Sequence, residues 1–424
     1  MNAEIISVGT ELLLGHTVNT DASFVARELS TIGINLLFCG TVGDNVERLK
    51  DTLESALNRS DLVITTGGLG PTEDDLTKET IAKTAGKKLV LDKDSLNRIE
   101  NYFKGRLMTS SQKKQAMLPE GCTVFPNDLG TAPGCGFKTE NGKILIMLPG
   151  PPSELLPMLK NYAIPYLMEN EKAVIVSKMV KVFGLGEAYV AEKIADLTSG
   201  TNPTAATYAK DSEMFVRVTA RAESEAQAEK MCTPVVDELK KRLGDYIYGI
   251  NVESLEERVV NLLGEQNMTL ATAESCTGGL LAKRITDISG SSEVFHMGAV
   301  TYANEIKTLL LGVPEDILNK YGAVSEQTAR LMAEGIQRVS KSNLGIGITG
   351  IAGPGGGTKE KPIGLVYIAL CDGKKTWVRK MPGSSTEKGR SHIRTLASSN
   401  ALDMVRRYLC GIGGLEKAAY SKNS

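Results

Sequence analysis

Ser275 stands in a turn of a kind that can expose a nucleophilic hydroxyl. Residues 272–279 read TAESCTGG, and a predicted strand ends there before a helix begins. A serine at such a turn can present its Oγ to a substrate, and the following N–H groups, near Thr277, Gly278 and Gly279, can stabilise an oxyanion. The chain has three histidines and none lies in a triad motif. A lysine is therefore the alternative base, provided that its pKa is lowered.

Lys307 is the lysine best suited to that role. Asn304 is predicted to cap a helix that begins at Glu305, which puts Lys307 at the third helical position. Because the helix macrodipole disfavours a cation in the first turn, we expect the amine to shift toward its neutral form. Tyr302, at the end of a strand, could hold Ser275 or relay a proton. The alternative is that Lys307 is an ordinary exposed helix residue and Ser275 only a cap.

A glycine-rich loop downstream is typical of a cradle for phosphate or ribose. Residues 349–358 read TGIAGPGGGT and follow a predicted strand. Their backbone N–H groups could approach an anion closely. Arg390 and Arg394, four residues apart on a predicted helix, could clamp a phosphate. A flexible surface loop and a solvated helix face are the alternatives. The loop residues expected to bind substrate are Thr349, Gly350, Gly353, Gly356 and Gly357.

An earlier glycine cluster has carboxylates beside it. Residues 65–77 read TTGGLGPTEDDLT and are predicted to follow a strand and open a helix. Gly67, Gly68, Gly70 and Thr72 would bring backbone N–H groups to a phosphate, helped by the helix N-terminus. Carboxylates repel phosphate unless a divalent metal or a proton lies between them, so the acidic run indicates metal-assisted phosphoryl chemistry. Alternatively, the acidic residues simply favour the first turn of a helix.

Alternating strands and helices must position these groups. Strand-like segments near the N-terminus lie at residues 3–8, 35–42, 61–66 and 143–148, with helical segments between them. Asp44 is placed to cap the helix after the second strand. This alternation predicts a parallel sheet with helices on both faces and a ligand site at the carboxyl ends of the strands.

The length of 424 residues and the change of pattern along the chain predict three domains. Residues 1–170 form an α/β domain. Residues 171–252 form a small α+β domain with a strand at 213–220 and a long charged helix at 222–243. Residues 253–412 return to alternating strands and helices, and residues 413–424 form a flexible tail. The predicted fold class is α/β, with two three-layer α/β/α domains joined by the small one.

The composition excludes several classes of function. The 49 Lys and Arg nearly balance the 50 Asp and Glu, and only 5% of residues are aromatic. Neither a basic surface nor a stacking platform for nucleic acid is therefore indicated. Seven scattered cysteines without a CxxC pair indicate neither a zinc site nor a disulfide framework. Since no membrane-length apolar run and no secretory signal are evident, we expect a cytoplasmic protein without a membrane partner.

Residues 1–170 resemble the molybdopterin-binding fold of the MogA and MoaB proteins, and in particular the N-terminal domain of the competence/damage-inducible CinA family. The resemblance is carried by five stretches: residues 65–77, VGDN at 42–45, MLPGPPSE at 147–154, ISVGTELL at 6–13 and NDLGTAPG at 127–134. Asp74 stands where molybdopterin enzymes have a basic residue. That departure weakens a molybdopterin role and favours a metal-using one.

This resemblance implies an ADP-ribose pyrophosphatase that releases AMP and ribose 5-phosphate with a divalent metal ion. Asp44 and Asp75 are carried over as the active acidic pair, and both are expected metal ligands together with Asp74. Glu11, Asp21 and Asp74 are weaker candidates for metal or ribose contacts. The alternative is a binding module, either a molybdopterin-like carrier or an accessory of DNA uptake.

Residues 254–410 resemble the C-terminal domain of the same family, which is similar to nicotinamide mononucleotide deamidases. The matching stretches are residues 272–279, 297–313, 322–329 and 349–364. Ser275, Tyr302 and Lys307 fall on the family's catalytic positions. The resemblance implies hydrolysis of the carboxamide of nicotinamide mononucleotide to nicotinate mononucleotide and ammonia, with no cofactor. The 349–358 loop and an arginine would receive the 5′-phosphate.

Residues 202–220 resemble the KH-like middle module of CinA proteins, a name that refers to its shape. Both activities together would serve the salvage of pyridine nucleotides, with nicotinamide mononucleotide and ADP-ribose as small-molecule ligands. The fold resemblance also implies a homodimer.

Overall fold

The structure, a computed structural model, describes residues 1–169, 174–210, 213–383, 389–417 and 419. The chain divides into two compact units, residues 1–176 with 220–230 and residues 177–219 with 231–424. The sheets within these units are described in turn.

Strands and helices alternate at the start of the first domain, as predicted. Its strands are β1 (Asn2–Val8), β2 (Asn35–Val42), β3 (Leu62–Thr66), β4 (Leu89–Leu91), β5 (Met117–Pro119), β6 (Thr123–Phe125), β7 (Gly134–Lys138) and β8 (Ile144–Leu148). Its helices are α1 (Thr10–Leu13), α2 (Thr20–Thr31), α3 (Val46–Arg59), α4 (Thr77–Thr84), α5 (Lys93–Tyr102), α6 (Ser110–Lys114), α7 (Pro152–Met158) and α8 (Ile164–Glu169).

The main sheet of this domain is mixed, in the order β2-β1-β3-β8-β7-β6. Strands β2, β1, β3 and β8 run parallel, whereas β7 is antiparallel to β8 and to β6. The prediction of a parallel sheet is wrong at this edge, because the connection at residues 139–143 is too short to carry the chain back across the sheet.

Helices cover both faces of that sheet. On β1, Ile5 lies in one apolar cluster with Leu29 of α2, whereas the next residue, Ile6, lies in another with Leu49 of α3. Successive side chains of a strand point to opposite faces, so both faces are buried. The predicted three-layer α/β/α arrangement is confirmed for this domain.

Two helix starts in this domain differ from the predicted ones. Asn45 caps α3, since its side chain accepts a hydrogen bond from the Arg48 N–H at 3.0 Å, and Asp44 does not. Helix α4 begins at Thr77 without a side-chain cap, so the acidic residues 73–75 precede the helix instead of forming its first turn. A cap depends on local backbone geometry that can shift by one residue without changing the sequence pattern.

The middle domain contains a four-stranded sheet in the order β10-β11-β9-β12. Its strands are β9 (Val174–Val182), β10 (Thr204–Lys210), β11 (Glu213–Ala222) and β12 (Ile247–Ile250), and its helices are α9 (Glu187–Lys193), α10 (Ala195–Thr198) and α11 (Glu225–Leu243). The long charged helix starts three residues later than predicted, because Ala222 still belongs to β11. The small α+β architecture is as expected.

The third domain is again a mixed sheet with helices, in the strand order β14-β13-β15-β16-β17. Its strands are β13 (Leu270–Glu274), β14 (Phe295–Val300), β15 (Leu344–Gly350), β16 (Leu365–Cys371) and β17 (Thr376–Pro382). Its helices are α12 (Leu255–Glu265), α13 (Leu280–Thr286), α14 (Asn304–Leu311), α15 (Glu315–Tyr321), α16 (Glu326–Ser340) and α17 (Gly389–Leu409). Strands β14, β13 and β15 are parallel, whereas β16 is antiparallel to both of its neighbours.

A buried charge cluster ties α17 to β17 and to the residues after α17. The Asp403 carboxylate accepts from Arg379 (3.0 Å), Arg406 (2.6 Å) and Arg407 (3.1 Å). Although burial opposes its ionisation, the three guanidinium groups together hold the pKa of the Asp403 carboxyl below its ordinary value. Arg379 Nε also donates to the Leu415 carbonyl.

The expected flexible tail is thus docked where the structure describes it. Residues 413–417 and 419 are described, and residues 418 and 420–424 lie outside the described part. Leu415 and Ala419 pack against the core of the third domain, and the Ala419 N–H donates to Asn400 Oδ1 at 3.1 Å.

Replacing Asp403 should destabilise the third domain strongly. Asp403→Asn leaves buried guanidinium groups without their counter-charge, and we expect the free energy of unfolding to fall by about 3–5 kcal/mol. Trp377, the single tryptophan, packs edge-on against Tyr408 with ring centroids 5.5 Å apart. Its fluorescence during urea denaturation therefore reports the unfolding of this domain.

Asp237→Asn is the matched control, because Asp237 forms an exposed ion pair with Lys240 on α11. Exposed pairs contribute about 1 kcal/mol or less. Equal unfolding midpoints for the Asp403 and Asp237 variants would contradict the structural role of the buried cluster.

Candidate functional site

Three parallel strands of the third domain end at the same level. Glu274, the last residue of β13, is in register with Val300 of β14 and with Ile348 of β15. The segments that follow these three residues therefore leave the sheet side by side. The segment after β13 begins with the predicted nucleophile Ser275, and the segment after β14 contains Tyr302. The segment after β15 is the glycine-rich loop.

Backbone hydrogen bonds hold Ser275 in its turn. The Ser275 N–H donates to the Ile348 carbonyl at 2.9 Å, and the Ser275 carbonyl accepts from the Gly278 N–H at 3.1 Å. Gly278 and Gly279 have φ angles of 59° and 88°, a region in which side chains are strained. The two glycines are therefore required by the turn itself.

The candidate oxyanion donors differ from the predicted set at one position. The Gly278 N–H is already used inside the turn. The N–H groups of Cys276, Thr277 and Gly279 have no acceptor among the described residues. Two or three free N–H groups in one loop can form an oxyanion hole.

Lys307 is buried, with 1% of its surface exposed. Its Nζ donates to the Tyr302 carbonyl at 3.0 Å, and it interacts electrostatically with Cys276, the residue after the nucleophile. Burial lowers the pKa of the Lys307 amine below its ordinary value. Ser275 Oγ and Lys307 Nζ are not hydrogen-bonded to each other.

The predicted cap of the helix that carries Lys307 is wrong by one residue. Ala303, not Asn304, occupies the N-cap position of α14, and Asn304 is the first helical residue. Lys307 is consequently the fourth helical residue. Desolvation by burial is the main cause of its lowered pKa.

Arg390 connects the segment after β14 with the glycine-rich loop. Its Nη2 donates to the Tyr302 hydroxyl at 3.2 Å, and its Nη1 donates to the Gly353 carbonyl at 2.7 Å. Tyr302 is 60% exposed and lies beyond the end of β14. The two partners of Arg390 are a neutral hydroxyl and a neutral carbonyl. Neither of these contacts therefore neutralises the positive charge of the Arg390 guanidinium.

Arg394 supports the nucleophile turn. Its Nε and Nη2 both donate to the Thr277 carbonyl, at 3.0 and 2.6 Å. The two predicted phosphate ligands therefore differ in role. Arg394 is committed to the turn, whereas Arg390 can exchange its bond to Tyr302 for a bond to a ligand.

Within the glycine-rich loop the predicted binding residues also differ in role. The Thr349 hydroxyl donates to the Ala323 carbonyl at 2.7 Å, and a Cβ at Gly350 would overlap the Leu365 carbonyl. Thr349 and Gly350 therefore contribute to the packing of the loop against its neighbours. Gly353, with a φ of 75°, presents its carbonyl to Arg390, while Gly356 and Gly357 are exposed.

Glu274 is the residue that sequence reasoning missed. Its side chain is 1% exposed and directly precedes Ser275. A carboxylate at the end of an otherwise apolar strand was the available signal, because a buried charge requires partners close by.

The first domain has its own cleft, of about 670 Å³, at the carboxyl ends of β1, β3 and β8. The segments after these strands begin at Gly9, Gly67 and Pro149, and all three line the cleft. A cleft is therefore present at the strand ends where the sequence predicts a ligand site. A smaller pocket of about 300 Å³ lies next to the cleft. The predicted binding residue Thr72 lines this smaller pocket and does not line the larger cleft.

The predicted glycines shape the floor of the cleft. Gly67 has a φ of 90°, and a Cβ there would overlap the Val8 carbonyl oxygen. A Cβ at Gly70 would overlap the Asp75 carboxylate. Gly68 has a φ of 68° and abuts the hydroxyl of Thr77. Only glycine permits this close approach of backbone and carboxylate.

The predicted acidic pair, Asp44 and Asp75, accepts hydrogen bonds from threonines. Asp44 Oδ2 accepts from the Thr10 N–H at 2.9 Å and from the Thr10 hydroxyl at 2.8 Å. Asp75 Oδ2 accepts from the Thr72 N–H at 2.8 Å and from the Thr72 hydroxyl. The Oδ1 atoms of both aspartates have no partner among the described residues.

The described lining of this cleft is acidic and contains no lysine, arginine or histidine. Its carboxylates belong to Glu11, Asp21, Asp44, Asp74, Asp75 and Glu154. Among them, burial raises the pKa of Asp21 to about 6, and its Oδ1 is buried without a hydrogen-bond partner. A phosphorylated ligand can enter such a cleft only with cations that offset the carboxylates.

No group of three or more His, Cys, Asp or Glu side chains among the described residues is arranged to hold a metal ion. Asp44, Asp74 and Asp75 line one cleft without forming such a cluster. Their oxygens suit Mg²⁺, which is commonly bound through one or two carboxylates and substrate phosphates. The residues therefore fit a divalent ion that shares its coordination with the ligand.

Comparisons with known proteins give the same order of domains. Family models match residues 4–169 ("Probable molybdopterin binding domain"), 177–249 ("Damage-inducible protein CinA KH domain") and 252–409 ("CinA C-terminal domain"). A CinA-like protein of Desulfovibrio desulfuricans is 58% identical over 412 residues, which is 97% of either chain. The chain belongs to the CinA family.

Other CinA proteins show the same resemblance. A CinA-like protein of Kosmotoga olearia is 51% identical and covers 96% of this chain and 99% of its own length. A crystal structure from Thermoplasma acidophilum, described as the protein CinA with unknown function, is 39% identical. It covers 38% of this chain and 95% of its own, with a TM-score of 0.36.

In this CinA protein the acidic cleft lies in the molybdopterin-binding-like domain, and Ser275 lies in the CinA C-terminal domain. The middle domain is the CinA KH domain. Among the described residues, no helix combines the length and apolar character needed to cross a membrane.

Proposed function

We propose that the third domain is a serine amidase in which neutral Lys307 is the base and nicotinamide mononucleotide is the substrate. The observation that carries this proposal is the burial of Lys307 beside the turn that holds Ser275. A buried amine with a lowered pKa is the form of lysine that can accept a proton near neutral pH. The choice of substrate comes from the resemblance to deamidases.

The geometry supports a two-step acyl transfer. The bond from Lys307 Nζ to the Tyr302 carbonyl uses one N–H and leaves the nitrogen lone pair of the neutral amine free. Lys307 takes the Ser275 proton while Oγ forms a bond to the amide carbon. The free N–H groups of Cys276, Thr277 and Gly279 stabilise the oxyanion that develops.

The tetrahedral intermediate then collapses. Lys307 returns the proton to the amide nitrogen, directly or through Tyr302, and the C–N bond breaks to release ammonia. Water attacks the resulting Ser275 ester while Lys307 accepts its proton, and that proton restores the serine hydroxyl. The mechanism requires a hydrogen bond between Ser275 Oγ and Lys307 Nζ in the substrate complex.

Substrate is oriented by Arg390 and the glycine-rich loop. The 5′-phosphate replaces Tyr302 as the partner of Arg390 Nη2, and the exposed N–H groups at Gly356 and Gly357 surround it. Release of the Tyr302 hydroxyl by Arg390 would make that hydroxyl available for the proton relay.

Ser275→Ala should abolish ammonia release from nicotinamide mononucleotide, because no other atom forms the acyl intermediate. The loss should exceed roughly 1000-fold in kcat. A coupled ammonia assay on the full chain measures it. The exposed residue Ser292 in the same domain provides the control, and Ser292→Ala should retain full activity.

AMP formation by the first domain of the same variant serves as a check of folding. Ammonia release at the wild-type rate after Ser275→Ala would exclude Ser275 as the nucleophile.

We also propose that the first domain hydrolyses ADP-ribose to AMP and ribose 5-phosphate. The observation that carries this second proposal is the acidic cleft built on close-packed glycine turns and lacking a basic side chain among its described lining residues. A divalent cation bound by Asp44 and Asp75 would neutralise the diphosphate and polarise its oxygens.

The residues of the chain would act around that ion. The threonine bonds fix one oxygen of each aspartate, so that Oδ1 of Asp44 and Oδ1 of Asp75 remain free for coordination. The turn at Gly67 and Gly68 keeps side chains out of the space that a diphosphate needs. Asp74, exposed on the same loop, adds a third carboxylate at the rim.

Asp44→Asn and Asp75→Asn should each lower AMP formation by roughly 100-fold or more, since each removes a charged ligand of the cation. Product analysis by chromatography, with Mg²⁺, with Mn²⁺ and with chelator, measures this. Asp51→Asn on α3 is the matched control, because Asp51 is exposed and does not line the cleft.

Chelator should stop AMP formation and leave ammonia release by the third domain unchanged. Binding of ADP-ribose without AMP formation under either metal would contradict hydrolysis and identify the cleft as a binding module.

A further inference from the structure

We propose that Glu274 is a positioning residue that fixes the Ser275 turn by capping, from the end of β13, the helix that follows the turn. The inference rests on the proposed amidase function of the third domain. Nothing in the proposed reaction steps uses Glu274, yet it is among the most completely buried charged residues of the domain.

Both oxygens of the Glu274 carboxylate bind the start of α13. Oε1 accepts from the Ala282 N–H at 2.8 Å, and Oε2 accepts from the Leu281 N–H at 3.1 Å. The cap position of this helix is Gly279, which has no side chain to offer. Because the first N–H groups of a helix lack partners inside the helix, a carboxylate from outside satisfies them.

The backbone of Glu274 is anchored at the same point. Its carbonyl accepts from the Thr301 N–H at 2.8 Å, directly before Tyr302, and the next N–H, of Ser275, donates to the Ile348 carbonyl. The backbone of Glu274 thus fixes the start of the turn, and its side chain fixes the end. The five residues 275–279, with the nucleophile and the free N–H groups, are held between these attachments.

A carboxylate is the group that this position requires. Its negative charge faces the positive end of the helix dipole, and its two oxygens match two N–H donors. A glutamine has the same length but only one acceptor oxygen, and its NH₂ group would face an N–H donor. Glu274→Gln therefore conserves volume and removes one attachment of the turn.

Glu274→Gln in the full chain should lower kcat for ammonia release by at least about tenfold, because small displacements of a nucleophile are costly. KM should stay within about threefold of the wild-type value, since Arg390 and the glycine-rich loop are untouched. Glu257→Gln is the matched control, because Glu257 makes the corresponding bond to the Glu253 N–H at the start of α12. It should change neither constant.

A second measurement separates this inference from the proposed function. Amide hydrogen exchange at Gly278, Leu281 and Ala282, whose N–H groups are hydrogen-bonded, should become faster in Glu274→Gln, while the strands of the third domain keep wild-type protection. This readout needs no substrate. A wild-type chain that releases no ammonia would refute the amidase but leave the exchange result as the test of Glu274.

Glu274→Asp provides the second variant. It keeps the charge but is one methylene shorter, so its kcat should lie between those of the wild type and Glu274→Gln. Wild-type kcat together with wild-type exchange in Glu274→Gln would overturn the proposal. So would a uniform increase of exchange over the whole domain in both variants, because Glu274 would then only stabilise the fold.

Discussion

The burial of Lys307 is the constraint on which the site of the third domain depends. An ammonium group removed from water, with a single carbonyl oxygen as its hydrogen-bond partner, loses more by desolvation than that one bond returns. Burial therefore lowers the pKa of the amine, and in the proposed mechanism Lys307 is the base for Ser275. The elements around it follow from that requirement. Lys307 is the fourth residue of α14, which begins shortly after β14 ends, and the Ser275 turn lies close enough for Cys276 to interact with it electrostatically.

The two sites use the same edge of an α/β sheet with opposite electrostatics. In the third domain, the guanidinium groups of Arg390 and Arg394 lie at the loops after the strand ends, so in the proposed complex an anionic nucleotide would meet positive charge and N–H groups directly. In the first domain the strand ends meet carboxylates, and Asp44 and Asp75 are held by threonines instead of by cations. Such a cleft admits a phosphorylated ligand only together with metal ions. One topology would thus support the two proposed activities, an amide hydrolysis in one domain and a cation-dependent diphosphate hydrolysis in the other.

The sequence pattern predicted the alternating elements, the three-layer domains and the strand-end location of both sites, because apolar periodicity and glycine turns are local signals. The sequence pattern did not predict the features that depend on contacts between residues far apart in the chain. The antiparallel direction of β7 follows from the short connection to β8, and the lowered pKa of Lys307 follows from burial, neither of which is visible in local periodicity. Part of the glycine content also serves packing. A Cβ at Gly345 or at Gly347 would overlap a backbone carbonyl of α16, so these glycines let that helix pack directly on β15. Glu274 went unnoticed because its partners, seven and eight residues later, are backbone groups.

The central claim is that Lys307 is a neutral base for Ser275, and a titration of Lys307 tests it most directly. The ¹⁵Nζ resonance of Lys307 should be followed against pH in the full chain, beside the pH dependence of kcat/KM for ammonia release. We predict that Lys307 titrates below the ordinary lysine value of about 10.4 and that kcat/KM rises with the same midpoint as the amine loses its proton. A Lys307 resonance that titrates at the ordinary value, with kcat/KM already at its plateau several pH units lower, would contradict the account.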